Sequence, residues 1–185
     1  MTRPSPIPLS PVLLVSCANA LASLHAPRRW GREGVGFVHY AGYHSHYDLK
    51  MDRSSWPIPR GDDCAELAQF AEAEGILSAE RPVPGDVFLV WTVQKQRFTQ
   101  AGIVELVTGA GNFVTGLGWF ECCTIEAFAR PRCKSDRVKK KTRKLSPECG
   151  DRIVRWADLD GRGAVSNPLS REQVELATRR LADAA

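Results

Sequence analysis

The sequence predicts an α+β domain, with helices first and then a mainly antiparallel sheet of about five strands. Three observations lead there. One segment carries a helix-start signal at Asp63 and a helix-stop signal at Gly75. From Asp86 onward, segments rich in β-branched and aromatic residues follow one another across short polar or Gly-containing connections. The length of 185 residues suits one domain with short extensions, long enough to bury a core without staples.

The elements follow in order. Residues 1–10 contain three prolines and read as a loose leader. An apolar helix is expected from about Pro11 to Leu24, packing Val12, Leu13, Val15 and Leu21 on the domain. Residues 28–60 hold three of the four histidines and many aromatics, Gly and Pro, with poor periodicity, so little regular structure is expected there. Asp63-x-x-Glu66 fits a capping box, and Ala65, Ala68, Phe70, Ala71 and Ile76 supply the buried stripe of the helix that follows. Strands are expected at Asp86–Val93, Gln100–Val107, Trp119–Glu126, Val138–Leu145 and Ile153–Trp156, with a hairpin through Gln94–Phe98 and a turn at Gly109–Asn112. Residues 161–168 read as a linker, and Ser170-x-x-Gln173 caps a terminal helix of roughly Arg171 to Ala182. The organisation is thus a leader and first helix over 1–26, a domain over 27–160, and a linker with a helix over 161–185.

Composition excludes several classes. Hydrophobic residues make up 43% and charged residues 25%, ordinary for a globular chain. No apolar run reaches the roughly 18 residues of a membrane span. The six cysteines (Cys17, Cys64, Cys122, Cys123, Cys133 and Cys149) include no C-x-x-C, so neither a zinc site nor any other metal or cofactor is expected, and most read as reduced, small apolar residues. Leu14-Val-Ser-Cys17 has the look of a lipoprotein cleavage box, but the preceding stretch has one basic residue and flanking prolines, so a cytoplasmic location is favoured over export.

Charge is concentrated. The net charge is +4, yet Arg130 to Lys144 holds nine Lys or Arg against the single acid Asp136. Such a run recruits anions. It contains no aromatic on which bases would stack, which argues against nucleic acid. As a plain structural feature, it is a lysine-protected edge strand.

Chemistry centres on Cys64. A thiol in the first turn of a helix feels the helix dipole and free N–H groups, both of which favour thiolate, while Asp62, Asp63 and Glu66 oppose it. Read plainly, Cys64 is a small buried residue. His44-x-His46 has a metal-ligand spacing if it lies on a strand, and is otherwise a solvated pair. Trp91, Phe98, Trp119 and Phe120 read as core or cleft wall.

The helix-start Cys64, the strand Pro84-Gly-Asp-Val-Phe-Leu-Val-Trp91, the strand Gly102-Ile-Val104 and the segment Thr124-Ile-Glu126 together resemble a CHAP domain, the papain-like cysteine, histidine-dependent amidohydrolase/peptidase family of cell-wall amidases. The resemblance covers about Ser55 to Trp156. It implies a papain-like fold, peptidoglycan peptides as substrate, a bacterial or phage setting, and a site made of Cys64 as nucleophile, Gln100 at the place of the histidine base, and Glu126 at the strand that orients it. Gln100 departs from the pattern: a carboxamide does not carry a proton from thiol to leaving amine. No histidine follows Cys64, and Phe128 stands where the family's asparagine is expected. Three readings follow: a cysteine amidase or peptidase attacking through Cys64, a non-catalytic binding or regulatory module, or a chain drifting after loss of function. The partners implied are peptidoglycan peptides or another anionic polymer held by Arg130, Arg132, Lys134, Lys139, Lys140 and Lys141.

Overall fold

The computed structural model describes residues 11–23, 33–47, 63–128 and 137–156. Helix α1 spans Pro11–Ser23, α2 Val35–Tyr47 and α3 Cys64–Ala73. Six strands follow: β1 Leu77–Ser78, β2 Val87–Thr92, β3 Arg97–Asn112, β4 Gly118–Phe128, β5 Arg137–Leu145 and β6 Arg152–Val154. They form one antiparallel sheet in the order β1-β6-β2-β3-β4-β5. The expected α+β class and antiparallel sheet are present, with one strand more than expected.

Local chemistry explains most boundaries. Asp63 is the N-cap of α3, and its carboxylate accepts the Ala65 N–H at 2.7 Å. Gly75 sits at φ 71°, the left-handed conformation that ends a helix cheaply only with glycine. The buried face of α3 is Cys64, Leu67, Ala68 and Ala71, with Ile76 just beyond it; Ala65 and Phe70 are only half-buried. In α1 the buried residues include Leu14, Cys17, Ala18 and Leu21, so Cys17 lies inside a packed helix.

Four expectations need correction. Residues 35–47 form a helix, although they were expected to be irregular. The sequence Val-Gly-Phe-Val-His-Tyr-Ala-Gly-Tyr-His-Ser-His-Tyr is poor in helix formers and weakly amphipathic, and tertiary packing against α1 and β3 decides its state. Gly109–Asn112 is not a turn. Strand β3 runs through it to Asn112, and the chain reverses at Phe113–Leu117, where the Phe113 N–H donates to the Leu117 carbonyl at 2.8 Å. Gly111 is needed there because the Trp119 ring lies across it: a Cβ would stand 2.7 Å from that ring. The short strand β1 was not expected; Leu77 and Ser78 pair with Val154 and Ile153. The last strand ends at Val154, and Trp156 instead donates its indole N–H to the Gly85 carbonyl at 2.7 Å. The linker and terminal helix expected over 161–182 lie outside the described residues.

The three helices pack on one face of the sheet. The core there joins Leu14, Ala18, Phe37, Val38, Cys64 and Leu67 to the sheet residues Val87, Leu89, Ile103 and Ile125. The other face carries a smaller cluster of Phe88, Val104, Cys122, Leu145 and Ile153. Alternation along β4 therefore divides Ile125 and Ala127 from Cys122, Thr124 and Glu126. Strand β3 carries two register shifts, between Val104 and Leu106 and between Val107 and Gly109, which add twist to the long β3–β4 arm.

Candidate functional site

Cys64 is fully buried at the first turn of α3. The segment Glu33-Gly34 lies against it. The Glu33 carboxylate accepts the Cys64 backbone N–H through Oε2 at 2.9 Å, and the thiol donates to the Glu33 carbonyl at 3.6 Å. The same carbonyl accepts the Ala101 N–H at 2.7 Å. Glu33 Oε1 pairs with Arg97 at 2.5 Å, and Arg97 reaches Asp63 more loosely at 3.5 Å. A carboxylate thus occupies the N–H that a helix-start cysteine would offer to an oxyanion, and an arginine holds it there.

The electrostatics follow from this packing. Burial pushes the Cys64 thiol far above its ordinary value, the adjacent Glu33 carboxylate and its hydrogen bond push it further, and Asp63 adds to the rise. Arg97 acts in the opposite direction and does not offset them. The helix dipole, the sequence's reason for expecting a thiolate, is outweighed by an inserted anion and lack of water.

Gln100 lies on β3 next to this segment. Its carboxamide N–H₂ donates to the Ala101 carbonyl at 3.0 Å and to the Ala127 carbonyl at 3.2 Å. Gly34, at φ 81°, passes so close that a Cβ there would stand 3.0 Å from Gln100 Nε2. Gln100 therefore ties β3 to β4 at the point where the Glu33 backbone takes the Ala101 N–H. Both of its donors are committed to carbonyls, and none of the contacts described joins it to Cys64.

Glu126 is brought elsewhere. It is completely buried on the sheet face opposite the helices and Cys64. Thr124 donates its hydroxyl to Oε1 at 2.6 Å, Arg143 donates Nη2 to Oε2 at 2.6 Å, and Arg143 Nε closes the pair on Oε1. The Arg143 guanidinium also lies over the Phe88 ring, 5.6 Å from its centroid. This bidentate pair ties β4 to β5.

The remaining candidates fall as follows. The positions of His44 and His46 lie in α2, where residues two apart are about 200° apart around the axis, so the strand alternation that would align them does not operate. Among the described residues no group of three or more His, Cys, Asp or Glu is placed to hold a metal, and no helix is long and apolar enough to cross a membrane. Lys139, Lys140 and Lys141 lie on the edge strand β5, while Arg130, Arg132 and Lys134 lie outside the described residues. Trp91 packs edge-on against Phe98, with ring centroids 5.1 Å apart.

Two features were not anticipated from the sequence. Glu33 is one, being 31 positions from Cys64 with no motif around it. The other is a cavity of about 530 Å³ on the far end of β3 and β4, bounded by Asn112, Trp119, Phe120, Pro147 and Glu148. Comparison with protein-family models, curated proteins and solved structures gives no match for this chain.

Proposed function

We propose that this chain is a CHAP-like module, related to the cysteine amidases and peptidases that act on peptidoglycan peptides, in which the hydrolytic step no longer runs and binding is the function. The observation that carries this reading is the Glu33 carboxylate seated on the Cys64 N–H, with the thiol turned to the Glu33 carbonyl. Nucleophilic catalysis needs a thiolate, a proton acceptor and a free oxyanion site. Here the thiol is held protonated, the place of the base is taken by a carboxamide bonded to two carbonyls, and the N–H is filled. The order of a cysteine-led helix followed by antiparallel strands supports the relationship. The binding surface is the cationic edge strand β5, where Lys139, Lys140, Lys141 and Lys144 are exposed, Lys140 being paired with Glu105 at 2.6 Å.

The test is alkylation of the native protein across pH, with each cysteine followed by mass spectrometry. Cys64 is expected to resist labelling through neutral pH while exposed Cys149 reacts. Rapid labelling of Cys64 below about pH 7, well under the usual thiol value of about 8.5, would overturn the non-catalytic reading.

A further inference from the structure

The β3–β4 arm ends in apolar residues that the domain leaves uncovered. At its turn Val114 is fully exposed, and Phe113 and Leu117 are each 38% exposed. The turn is closed rather than loose: Phe113 N–H donates to the Leu117 carbonyl and Gly116 N–H to the Phe113 carbonyl, both at 2.8 Å, and Gly116 takes φ 83°. Trp119 follows two residues behind Leu117, with its ring centroid 6.3 Å from that of Phe113. Lys144 of the neighbouring strand places its ammonium 4.1 Å from the Trp119 centroid. Three acids lie along the arm: Glu105 pairs with Lys140 at 2.6 Å, Glu148 accepts the Gly118 N–H and Glu121 accepts the Thr108 hydroxyl.

From the turn inward, the arm therefore runs aliphatic and phenyl, then indole, then ammonium, then the cationic strand. Trp119 stands about 7 Å behind Leu117, at roughly 3.4 Å per residue. That order and depth match an interface: apolar groups about 5–10 Å into the acyl boundary, Trp at the headgroups, and Lys among lipid phosphates. The cavity bounded by Asn112, Trp119 and Phe120 lies behind the turn, so the apolar tip stands beyond it, and the sign of β5 selects an anionic surface.

We infer that the Phe113–Leu117 turn is a peripheral membrane-docking tip that seats the domain on an anionic lipid surface. The inference rests on the reading of β5 as the binding surface, and names its partner as a bilayer rather than a soluble polymer. Apolar area at the tip and charge on β5 contribute together, as weak single anchors require.

The experiment compares the whole protein with Val114→Asp and Lys144→Glu by co-sedimentation with phosphatidylglycerol-containing vesicles and with pure phosphatidylcholine vesicles. Binding to soluble polyphosphate is measured in parallel. The expected result is binding to the anionic vesicles that falls at least about tenfold in Val114→Asp, while polyphosphate binding stays at the wild-type level. Lys144→Glu is expected to weaken anionic-vesicle binding at low salt. Equal vesicle binding by wild type and Val114→Asp would overturn the docking tip and leave the cationic strand as the whole binding surface. Absence of binding to both vesicles and polyphosphate would overturn both readings. A wild-type dimer in sedimentation velocity that Val114→Asp abolishes would also overturn it, assigning the tip to a second copy of the chain. The fold of each variant is checked by circular dichroism, and because Val114 makes no buried contact its replacement leaves the fold intact.

Discussion

Replacing Arg143 with leucine separates a structural from an orienting role for Glu126. Glu126 is completely buried, and Arg143 supplies hydrogen bonds to both of its oxygens. In Arg143→Leu only the Thr124 hydroxyl remains on a carboxylate sealed from water. Removing one partner of a buried pair costs about 3–5 kcal/mol; a quarter of the Arg143 side chain is exposed, which places this case near about 3 kcal/mol. Loss of the guanidinium from the Phe88 face adds about 0.5 kcal/mol. With an m-value of about 2 kcal/mol/M, the urea midpoint drops by roughly 1.5 M or more. The double variant Glu126→Leu/Arg143→Leu removes both charges, and Thr124 keeps an acceptor in the Lys141 carbonyl at 3.2 Å. It is expected to recover most of the loss, to within about 1–2 kcal/mol of wild type. The assay is urea unfolding followed by far-ultraviolet circular dichroism on all four proteins of the cycle. A loss below about 1 kcal/mol in Arg143→Leu, or a double variant as unstable as the sum of the singles, would refute the argument and free Glu126 for another role.

Two further outcomes are expected. Gln100→His puts an imidazole at the position that the proposed CHAP likeness gives to the base, yet no amide hydrolysis of peptidoglycan is expected, because Glu33 still fills the Cys64 N–H; the variant instead loses about 1–3 kcal/mol from two broken hydrogen bonds, and appearance of turnover would overturn the account of the site. Burial, assisted by Cys123, pushes the Cys122 thiol up to about 11. Because the folded protein holds this proton more tightly than the unfolded chain, the stability it contributes is present below about pH 8.5 and lost as pH rises toward 11. Thermal melts from pH 8 to 10.5 are therefore expected to fall less steeply in Cys122→Ala than in wild type, and parallel slopes would contradict this.

The parts of the fold that could be read from the sequence are those whose causes are local. Asp63 and Gly75 mark the ends of α3 because a side-chain cap and a positive φ are satisfied within a few residues. Strands β2 to β4 follow from β-branched and aromatic content, whereas β5, mostly Lys and Arg, takes its state from pairing with β4. Helix α2 was hidden because its Gly, His and aromatic residues take their state from packing against α1 and β3. Gly109-Ala-Gly-Asn112 carried turn chemistry, but Gly111 is there to admit the Trp119 ring. Cys64 at the start of α3 was legible from the Asp63 cap, whereas the group that determines the thiol's chemistry was not. Glu33 reaches Cys64 across 31 positions, and Glu126 reaches Arg143 on the far face across 17. Local patterns hold no record of either contact.

The pairing of β1 with β6 sets a lower limit on any shortened version of this protein. Residues 152–154 fill the edge of β2, Arg155 pairs with Glu80 and Asp86, and Trp156 is buried with its indole on the Gly85 carbonyl. Truncation before Arg152 would strip β2 of its neighbour and bare a row of unpaired amides beside an apolar core, the condition in which sheets recruit other chains. Truncation after Trp156 leaves all of these contacts in place, so the boundary between a soluble preparation and an aggregating one is expected to fall within five residues.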